Sequence, residues 1–105
     1  MKVMVTAEGG TAEALVCNRL ARAPFFLIYD TQAQQWTSFQ NPYQQEHGMG
    51  ARIAQFASEK GVEVILGAAP GPNAKAALDT MGIRVAVSAG VTAQEALSNY
   101  LAGNV

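Results

Sequence analysis

From Val62 to Val87 the chain reads VEVILGAAPGPNAKAALDTMGIRVAV. The short apolar run Val62–Leu66 predicts a buried strand, and Ile83–Val87 predicts another. Between them, apolar residues recur from Ala74 to Met81 at the i, i+3, i+4, i+7 spacing of a helix, which Gly82 ends. Because a crossover of this kind joins parallel strands, the stretch predicts an α/β fold.

The rest of the chain extends this pattern to the order β-β-β-α-β-α-β-α. Apolar runs and helical spacing predict the other elements at Lys2–Thr6, Phe25–Asp30, Gln35–Gln40, Ala51–Lys60 and Ala93–Leu101. The last helix begins at a capping box formed by Thr92 and Glu95. The first three strands are predicted to form a meander, and the 105 residues are predicted to form a single domain.

Strand direction predicts where a ligand would bind. If the second strand is antiparallel to the first, the first, third, fourth and fifth strands all end at one edge of the sheet. Four connecting segments then meet at this carboxyl edge: Ala7–Arg22, Pro42–Gly50, Gly67–Asn73 and Ser88–Val91. The first is predicted to be a long loop with a short helical turn. Open α/β sheets bind ligands at such an edge, so it is the predicted functional surface.

Composition excludes several classes of partner. The formal net charge is −1, and charged residues make up only 14% of the chain. Because the basic residues are scattered, no binding to nucleic acid or to a membrane surface is expected. The single cysteine excludes an intrachain disulfide, and no apolar stretch is long enough to cross a bilayer. A cytoplasmic location is therefore predicted.

His47 and Cys17 are the residues best suited to contact a metal. His47 is the only histidine, and Gly48 and Gly50 after it let the backbone approach a ligand closely. Neutral imidazole binds iron, zinc and copper, and a Cys17 thiolate suits iron–sulfur or copper chemistry. The alternative for His47 is a solvated loop histidine, and the alternative for Cys17 is a small buried apolar residue. One cysteine and one histidine cannot form a closed zinc site, so a metal site here would be open and transient.

The segment Gly67–Asn73 suits an anionic ligand. It precedes a helix, and the first backbone N–H groups of a helix attract anions. Gly71, near the middle of the segment, is the candidate contact. Pro70 and Pro72 lack N–H groups, so a plain strand-to-helix connection is an equally good interpretation.

Arg19 and Arg22 are candidate anion contacts in the first long loop. Their guanidinium groups are suited to an anionic ligand, but they are equally suited to pair with Glu8 or Asp30. Catalysis is not expected, because no serine lies in a nucleophile-elbow motif. A nuclease with two metal ions would need carboxylates on the central strands, and Lys2–Thr6 has none.

Three motifs, taken in order, resemble one family. They are RLARAPFF at Arg19–Phe26, HGMG at His47–Gly50 and GAAPGPNA at Gly67–Ala74. With them the chain resembles the dinitrogenase iron–molybdenum cofactor biosynthesis family, of NifX-type carriers and orange-protein-like members, over nearly its whole length. Leu20 and Ala21 depart from the phenylalanine and glycine usual in the first motif. The resemblance implies an RNase H-like three-layer fold with a five-stranded mixed sheet.

The same resemblance implies a function without catalysis. The chain would bind an iron–sulfur or molybdenum–sulfur cofactor transiently and carry it between metallocluster assembly or acceptor proteins, as a monomer or weak homodimer. His47 would contact the cluster, Arg19 and Arg22 would balance its negative charge, and Cys17 is a further candidate ligand. Two alternatives stay open: a small-molecule or phosphate-binding module that uses Gly67–Asn73, and a homodimeric interaction scaffold.

Overall fold

The elements of the chain follow the predicted order. A computed structural model describes residues 1–20, 22–41, 49–88 and 90–103. Its strands are β1 (Lys2–Ala7), β2 (Phe25–Asp30), β3 (Gln35–Gln40), β4 (Val64–Gly67) and β5 (Arg84–Val87). Its helices are α1 (Met49–Glu59), α2 (Pro72–Thr80) and α3 (Ala93–Leu101).

The strands form one five-stranded mixed sheet in the order β3-β2-β1-β4-β5. β2 pairs antiparallel with both β1 and β3, whereas β4 pairs parallel with both β1 and β5. The α/β class and the five-stranded mixed sheet are thereby confirmed, and the RNase H-like classification stays a prediction. This topology also confirms that β1, β3, β4 and β5 end at one edge, called the carboxyl edge below.

The core lies on both faces of the sheet, because side chains alternate along each strand. Met4 and Ile65 face α1 and α2, where they pack in one apolar cluster with Ile53 and Leu78. On the other face, α3 packs against a second cluster, made of Val3, Val5, Leu27, Val64, Leu66, Ala93, Ala96 and Leu97. The molecule therefore has three layers, with the sheet between α1 and α2 on one side and α3 on the other.

Two strands begin later than the sequence predicts, for the same reason in each case. Gly61 and Gly82 follow α1 and α2 with φ values of 73° and 72°, the left-handed conformation that ends a helix. The next N–H, of Val62 or Ile83, donates to a helix carbonyl 2.9 Å away. Both residues are buried. Their backbone N–H groups thus belong to the helix cap rather than to the sheet.

No helix in the described ranges could cross a bilayer, because even the most extended of them, α1, has only 11 residues.

Candidate functional site

The long loop after β1 is fastened to the carboxyl edge by backbone hydrogen bonds. The N–H of Cys17 donates to the carbonyl of Thr6 at 2.9 Å, and the N–H of Val16 donates to the carbonyl of Val91 at 2.9 Å. Single bridges join Ala7 to Val16 and Leu15 to Thr92. The predicted short helical turn corresponds to one hydrogen-bonded turn, in which the N–H of Ala14 donates to the carbonyl of Thr11 at 3.0 Å. The other described residues from 8 to 20 hold only turns, bends and these bridges, so pairing with β1 and with the segment before α3 holds the loop in place.

Leu20 anchors the far part of this loop on the end of β4. Its side chain is 4% exposed and lies over Gly67. A Cβ atom added at Gly67 would approach Leu20 Cδ1 within 2.9 Å and would overlap Thr6 Oγ1. The glycine therefore leaves the space in which Leu20 packs. Leu20, which departs from the phenylalanine usual at this place in the first motif, thus helps to fix the loop.

Arg19 and Arg22 stand on either side of this buried anchor. Both are exposed. Within the described part of the chain neither forms an ion pair, so the alternative of pairing with Glu8 or Asp30 is not realised there. Two guanidinium groups thus face solvent at the carboxyl edge, and an incoming anion could be bound without first breaking an ion pair.

Asn41 joins the end of β3 to the same loop. It is buried, and its Nδ2 donates to the carbonyl of Ala23 at 2.9 Å, while its N–H donates to the carbonyl of Pro24. The sequence indicates Asn41 only as the stop of a strand. The structure shows that it holds the segment after Arg22 beside the point where the next connection begins.

The histidine motif, His47–Gly50, lies in the connection that begins after Asn41. His47 and Gly48, a predicted metal contact and a predicted cofactor contact, lie outside the described residues. Gly50 is the second residue of α1. Because α1 returns the chain from the end of β3 to the start of β4, its first turn lies at the carboxyl edge. Both described flanks of the motif, at Asn41 and at Met49, therefore lie at that edge.

Cys17 is buried rather than displayed at the edge. It is 6% exposed and packs in the apolar cluster with Met4, Leu20 and Phe26. Burial is the main cause that raises the pKa of the thiol; the backbone N–H of Arg19 opposes this shift, and the negative charge of Glu8 adds to it. At neutral pH Cys17 is therefore a protonated thiol, whereas metal ligation requires the thiolate.

Gly71 is the N-cap residue of α2, and no side chain caps this helix end. Its φ is −70°, and a Cβ atom added there would meet nothing within 4 Å. Neither conformation nor close packing therefore requires a glycine. Its predicted role as an anion contact stays a prediction that rests on the helix N-terminus alone.

Two hydroxyl groups at the carboxyl edge are buried without a hydrogen-bond partner in the described structure. They are Thr6 Oγ1, near the end of β1, and Ser88 Oγ, just after β5. The N–H of Ser88 donates to the carbonyl of Gly67, which is also the residue next to Thr6 Oγ1. Nothing in the sequence distinguishes these two residues, since their lack of a partner depends on the packing of three strands.

We predict that Thr6→Val raises the free energy of unfolding by about 1 kcal/mol, because it removes a buried hydroxyl that has no partner and keeps the side-chain shape. Urea unfolding followed by circular dichroism measures the change. Thr37→Val, at an exposed position of β3, is the matched control and should stay within about 0.5 kcal/mol of wild type. A loss of stability in Thr6→Val would contradict the prediction, because it would show that the hydroxyl is hydrogen-bonded.

The described side chains do not form a metal centre by themselves. Within residues 1–20, 22–41, 49–88 and 90–103, no group of three or more His, Cys, Asp and Glu side chains is placed to hold a metal ion. The exposed donors at the edge are the guanidinium groups of Arg19 and Arg22, because the hydroxyls of Thr6 and Ser88 are buried. Guanidinium groups suit an anionic ligand held by charge and hydrogen bonds.

Comparison with known proteins identifies the family of the chain. A family model described as dinitrogenase iron–molybdenum cofactor matches residues 1–103. The chain belongs to this family. No curated protein matches it in sequence. As a member of the dinitrogenase iron–molybdenum cofactor family, it can be set beside solved structures.

Two solved structures resemble this family member closely. The apo form of the orange protein from Desulfovibrio gigas shares 34% identity with a TM-score of 0.93, and the match covers 99% of this chain and 89% of that one. A protein from Thermotoga that is described as a NifB protein of the DUF35 family shares 32% identity with a TM-score of 0.87. The match covers 98% of this chain and 89% of that one. In both cases the match covers nearly the whole of this chain.

Proposed function

We propose that this chain binds an anionic metal–sulfur species, either iron–sulfur or molybdenum–sulfur, at the carboxyl edge and carries it without chemical change. The family to which the chain belongs is named for the iron–molybdenum cofactor of dinitrogenase. The observation that carries the proposal is the pair of exposed arginines, Arg19 and Arg22, which form no ion pair in the described structure. A sulfide-bearing cluster is negatively charged, and guanidinium groups bind such anions by charge-assisted hydrogen bonds.

The way the cargo would be held supports carriage rather than permanent binding. Several protein ligands around a metal make a cluster a resident cofactor, and the described residues supply no such group. Contacts through Arg19 and Arg22 together with one imidazole, that of His47, would instead let the cluster leave intact. The donor and the acceptor would be metallocluster assembly proteins, and a cytoplasmic location belongs to the same proposal.

The proposed contacts differ in how they would act. His47 is the proposed direct ligand through a neutral ring nitrogen, and Gly48, Gly50 and Gly71 would leave the backbone accessible near the cargo. Cys17 is a secondary candidate, because its thiol is buried and its raised pKa must first be overcome.

The proposal is tested by anaerobic uptake of two probes, tetrathiomolybdate and ferrous iron with sulfide. After desalting, wild-type protein should retain visible absorption and bound metal with at least one probe. At a probe concentration well below the wild-type dissociation constant, His47→Ala should retain at most about a tenth as much, as expected for the loss of about 1.4 kcal/mol of binding free energy. Lys75→Ala, which breaks an exposed ion pair with Asp79 on α2, is the control and should bind as wild type does.

Molybdate and inorganic phosphate separate sulfur recognition from simple attraction of an anion. Neither should displace the bound thiometallate at equal concentration. No uptake of either metal–sulfur probe, or equal uptake by His47→Ala and wild type, would overturn the proposal. Tight binding of phosphate alone would favour the alternative of a phosphate-binding module.

A further inference from the structure

The hydroxyl of Thr6 is a buried polar group that the fold leaves unsatisfied. Thr6 lies near the end of β1, beside Gly67, the last residue of β4. Its side chain is fully buried, and Oγ1 has no hydrogen-bond partner in the described structure. Native proteins keep few such hydroxyls, because the missing hydrogen bond lowers stability. A donor kept at this cost at the carboxyl edge is a candidate contact for a ligand.

The neighbour of this hydroxyl above Gly67 is the apolar side chain of Leu20. A Cβ atom at Gly67 would meet both Thr6 Oγ1 and Leu20 Cδ1, the second of them at 2.9 Å. Thr6 alternates with Met4 and so projects to the face of α1 and α2, where Leu20 also packs. A leucine methyl group offers no hydrogen-bond acceptor. The hydroxyl therefore shares its space with a group that leaves it unsatisfied.

Leu20 is held in this place by its side chain rather than by its backbone. Backbone hydrogen bonds fasten the chain on one side at the N–H of Cys17 and on the other at the carbonyl of Pro24. Between these points, residues 18–20 and 22 form no backbone-to-backbone hydrogen bond in the described structure. The Leu20 side chain can therefore leave its place without breaking one.

We propose that the Leu20 side chain is a movable cover, and that one sulfide of the cargo takes its place and accepts a hydrogen bond from Thr6 Oγ1. The exchange of a methyl group for a sulfide gives the buried hydroxyl the acceptor that it lacks. Gly67, without a side chain, leaves the space in which the sulfide would lie. This inference rests on the proposed function and adds to it the contact that would recognise sulfur.

The surroundings of Thr6 favour a sulfide over an oxygen anion. The side chains that pack on this face of the sheet are apolar, among them Met4 and Phe26. Molybdate and phosphate are strongly hydrated, and one hydroxyl cannot replace the hydrogen bonds that they lose on burial. A sulfide is larger, more polarizable and more weakly hydrated, so it loses less when it enters an apolar space. Arg19 and Arg22 would stay at the rim, where they balance the charge.

Affinity and stability should change in opposite directions in Thr6→Val. This variant should bind tetrathiomolybdate about tenfold more weakly than wild type, as expected for the loss of one hydrogen bond to a charged acceptor. The same substitution should stabilise the free protein, so a loss of affinity could not be attributed to damage to the fold. Thr6→Ser keeps the hydroxyl and should bind within about threefold of wild type. Anaerobic absorbance titration measures these affinities.

Ser88→Ala is the matched control. Ser88 Oγ is also buried without a partner in the described structure, and the N–H of Ser88 donates to the carbonyl of Gly67. Because Ser88 alternates with Ala86, which packs on the α3 face, its side chain projects to the opposite face of the sheet from Leu20. Ser88→Ala should therefore leave the affinity for tetrathiomolybdate unchanged.

Solution NMR of the wild-type protein tests the movement of the cover. Molybdenum(VI) is diamagnetic, so the tetrathiomolybdate complex gives interpretable spectra. The free protein should show a nuclear Overhauser effect between the Leu20 methyl groups and the Gly67 Hα protons, and the complex should lose it.

Leu20→Ala tests whether the cover opposes binding. It should bind tetrathiomolybdate at least as tightly as wild type, because no large side chain has to be displaced. If Leu20 only anchored the loop, its removal would loosen Arg19 and Arg22 and would weaken binding. Thermal melts verify that the variant is folded, and the NMR measurement does not depend on it.

The outcomes separate this inference from the proposed function. Equal affinity of Thr6→Val and wild type, an equal loss in Ser88→Ala and Thr6→Val, weaker binding by folded Leu20→Ala, or a contact between Leu20 and Gly67 that persists in the complex would overturn the inference alone. Absence of tetrathiomolybdate binding by wild type would also overturn it. Failure of both metal–sulfur probes would overturn the proposed function as well.

Discussion

Gly67→Ala should lower the free energy of unfolding by about 1–3 kcal/mol, the usual cost of overpacking a core. The added methyl group would overlap Thr6 Oγ1 and would press on Leu20 Cδ1 at 2.9 Å. Both neighbours are buried, so neither can move into solvent. In a domain of this size the melting temperature falls by about 4–8 °C for each kcal/mol, and thermal unfolding measures the change directly.

Gly71→Ala is the matched control for this prediction. It makes the same change four residues later, at a φ of −70° and with nothing within 4 Å of the new Cβ atom. Its stability should stay within about 1 kcal/mol of wild type, because alanine restricts the unfolded chain but is a poorer N-cap than glycine. Thr6→Ala combined with Gly67→Ala should recover part of the loss. Equal melting temperatures for Gly67→Ala and Gly71→Ala would show that the contact is not as tight as described.

Arg19→Gln/Arg22→Gln should weaken binding of tetrathiomolybdate by roughly a hundredfold. A hydrogen bond to a charged group contributes about 1.5 kcal/mol or more, which is about a tenfold change in affinity for each arginine. Both side chains are exposed, so the substitutions should leave the melting temperature nearly unchanged. Absorbance titration gives the affinity, and raising the salt concentration should weaken wild-type binding more than binding by the variant.

Lys2→Gln/Arg84→Gln is the matched control. It removes the same number of positive charges at the amino ends of β1 and β5, which lie at the opposite edge of the sheet. Its affinity for tetrathiomolybdate should stay within about threefold of wild type, because exposed charges beyond a Debye length are largely screened. An equal loss in both double variants would mean that net charge, rather than the carboxyl edge, controls binding.

The predictions made from the sequence succeed where a signal is local. Glu95 stands three residues after Thr92, and the structure contains the predicted capping box. The helical spacing from Ala74 to Met81 likewise corresponds to α2, within one or two residues at each end. The predicted strand starts are less accurate. Val62 belongs to the cap of α1 rather than to β4, and an apolar residue gives the same sequence signal in a helix cap as in a strand.

The candidate site divides in the same way. The sequence supplies the chemistry of Arg19 and Arg22, and strand direction places their loop at the carboxyl edge. It leaves open whether Cys17 is a ligand or a small buried apolar residue, because burial depends on how Leu20 and Phe26 pack around it. Nor does it distinguish Asn41, whose hydrogen bond to Ala23 joins residues 18 positions apart.

The sequence by itself determined the element order, the parallel crossover from Val62 to Val87 and the edge where the loops meet, because periodicity and chain direction are properties of short segments. Only the tertiary structure decided that Leu20 packs over Gly67 beside the buried Thr6 hydroxyl, and that Cys17 is a buried thiol. Each of these depends on contacts between segments far apart in the chain, and no local pattern encodes which of them will meet.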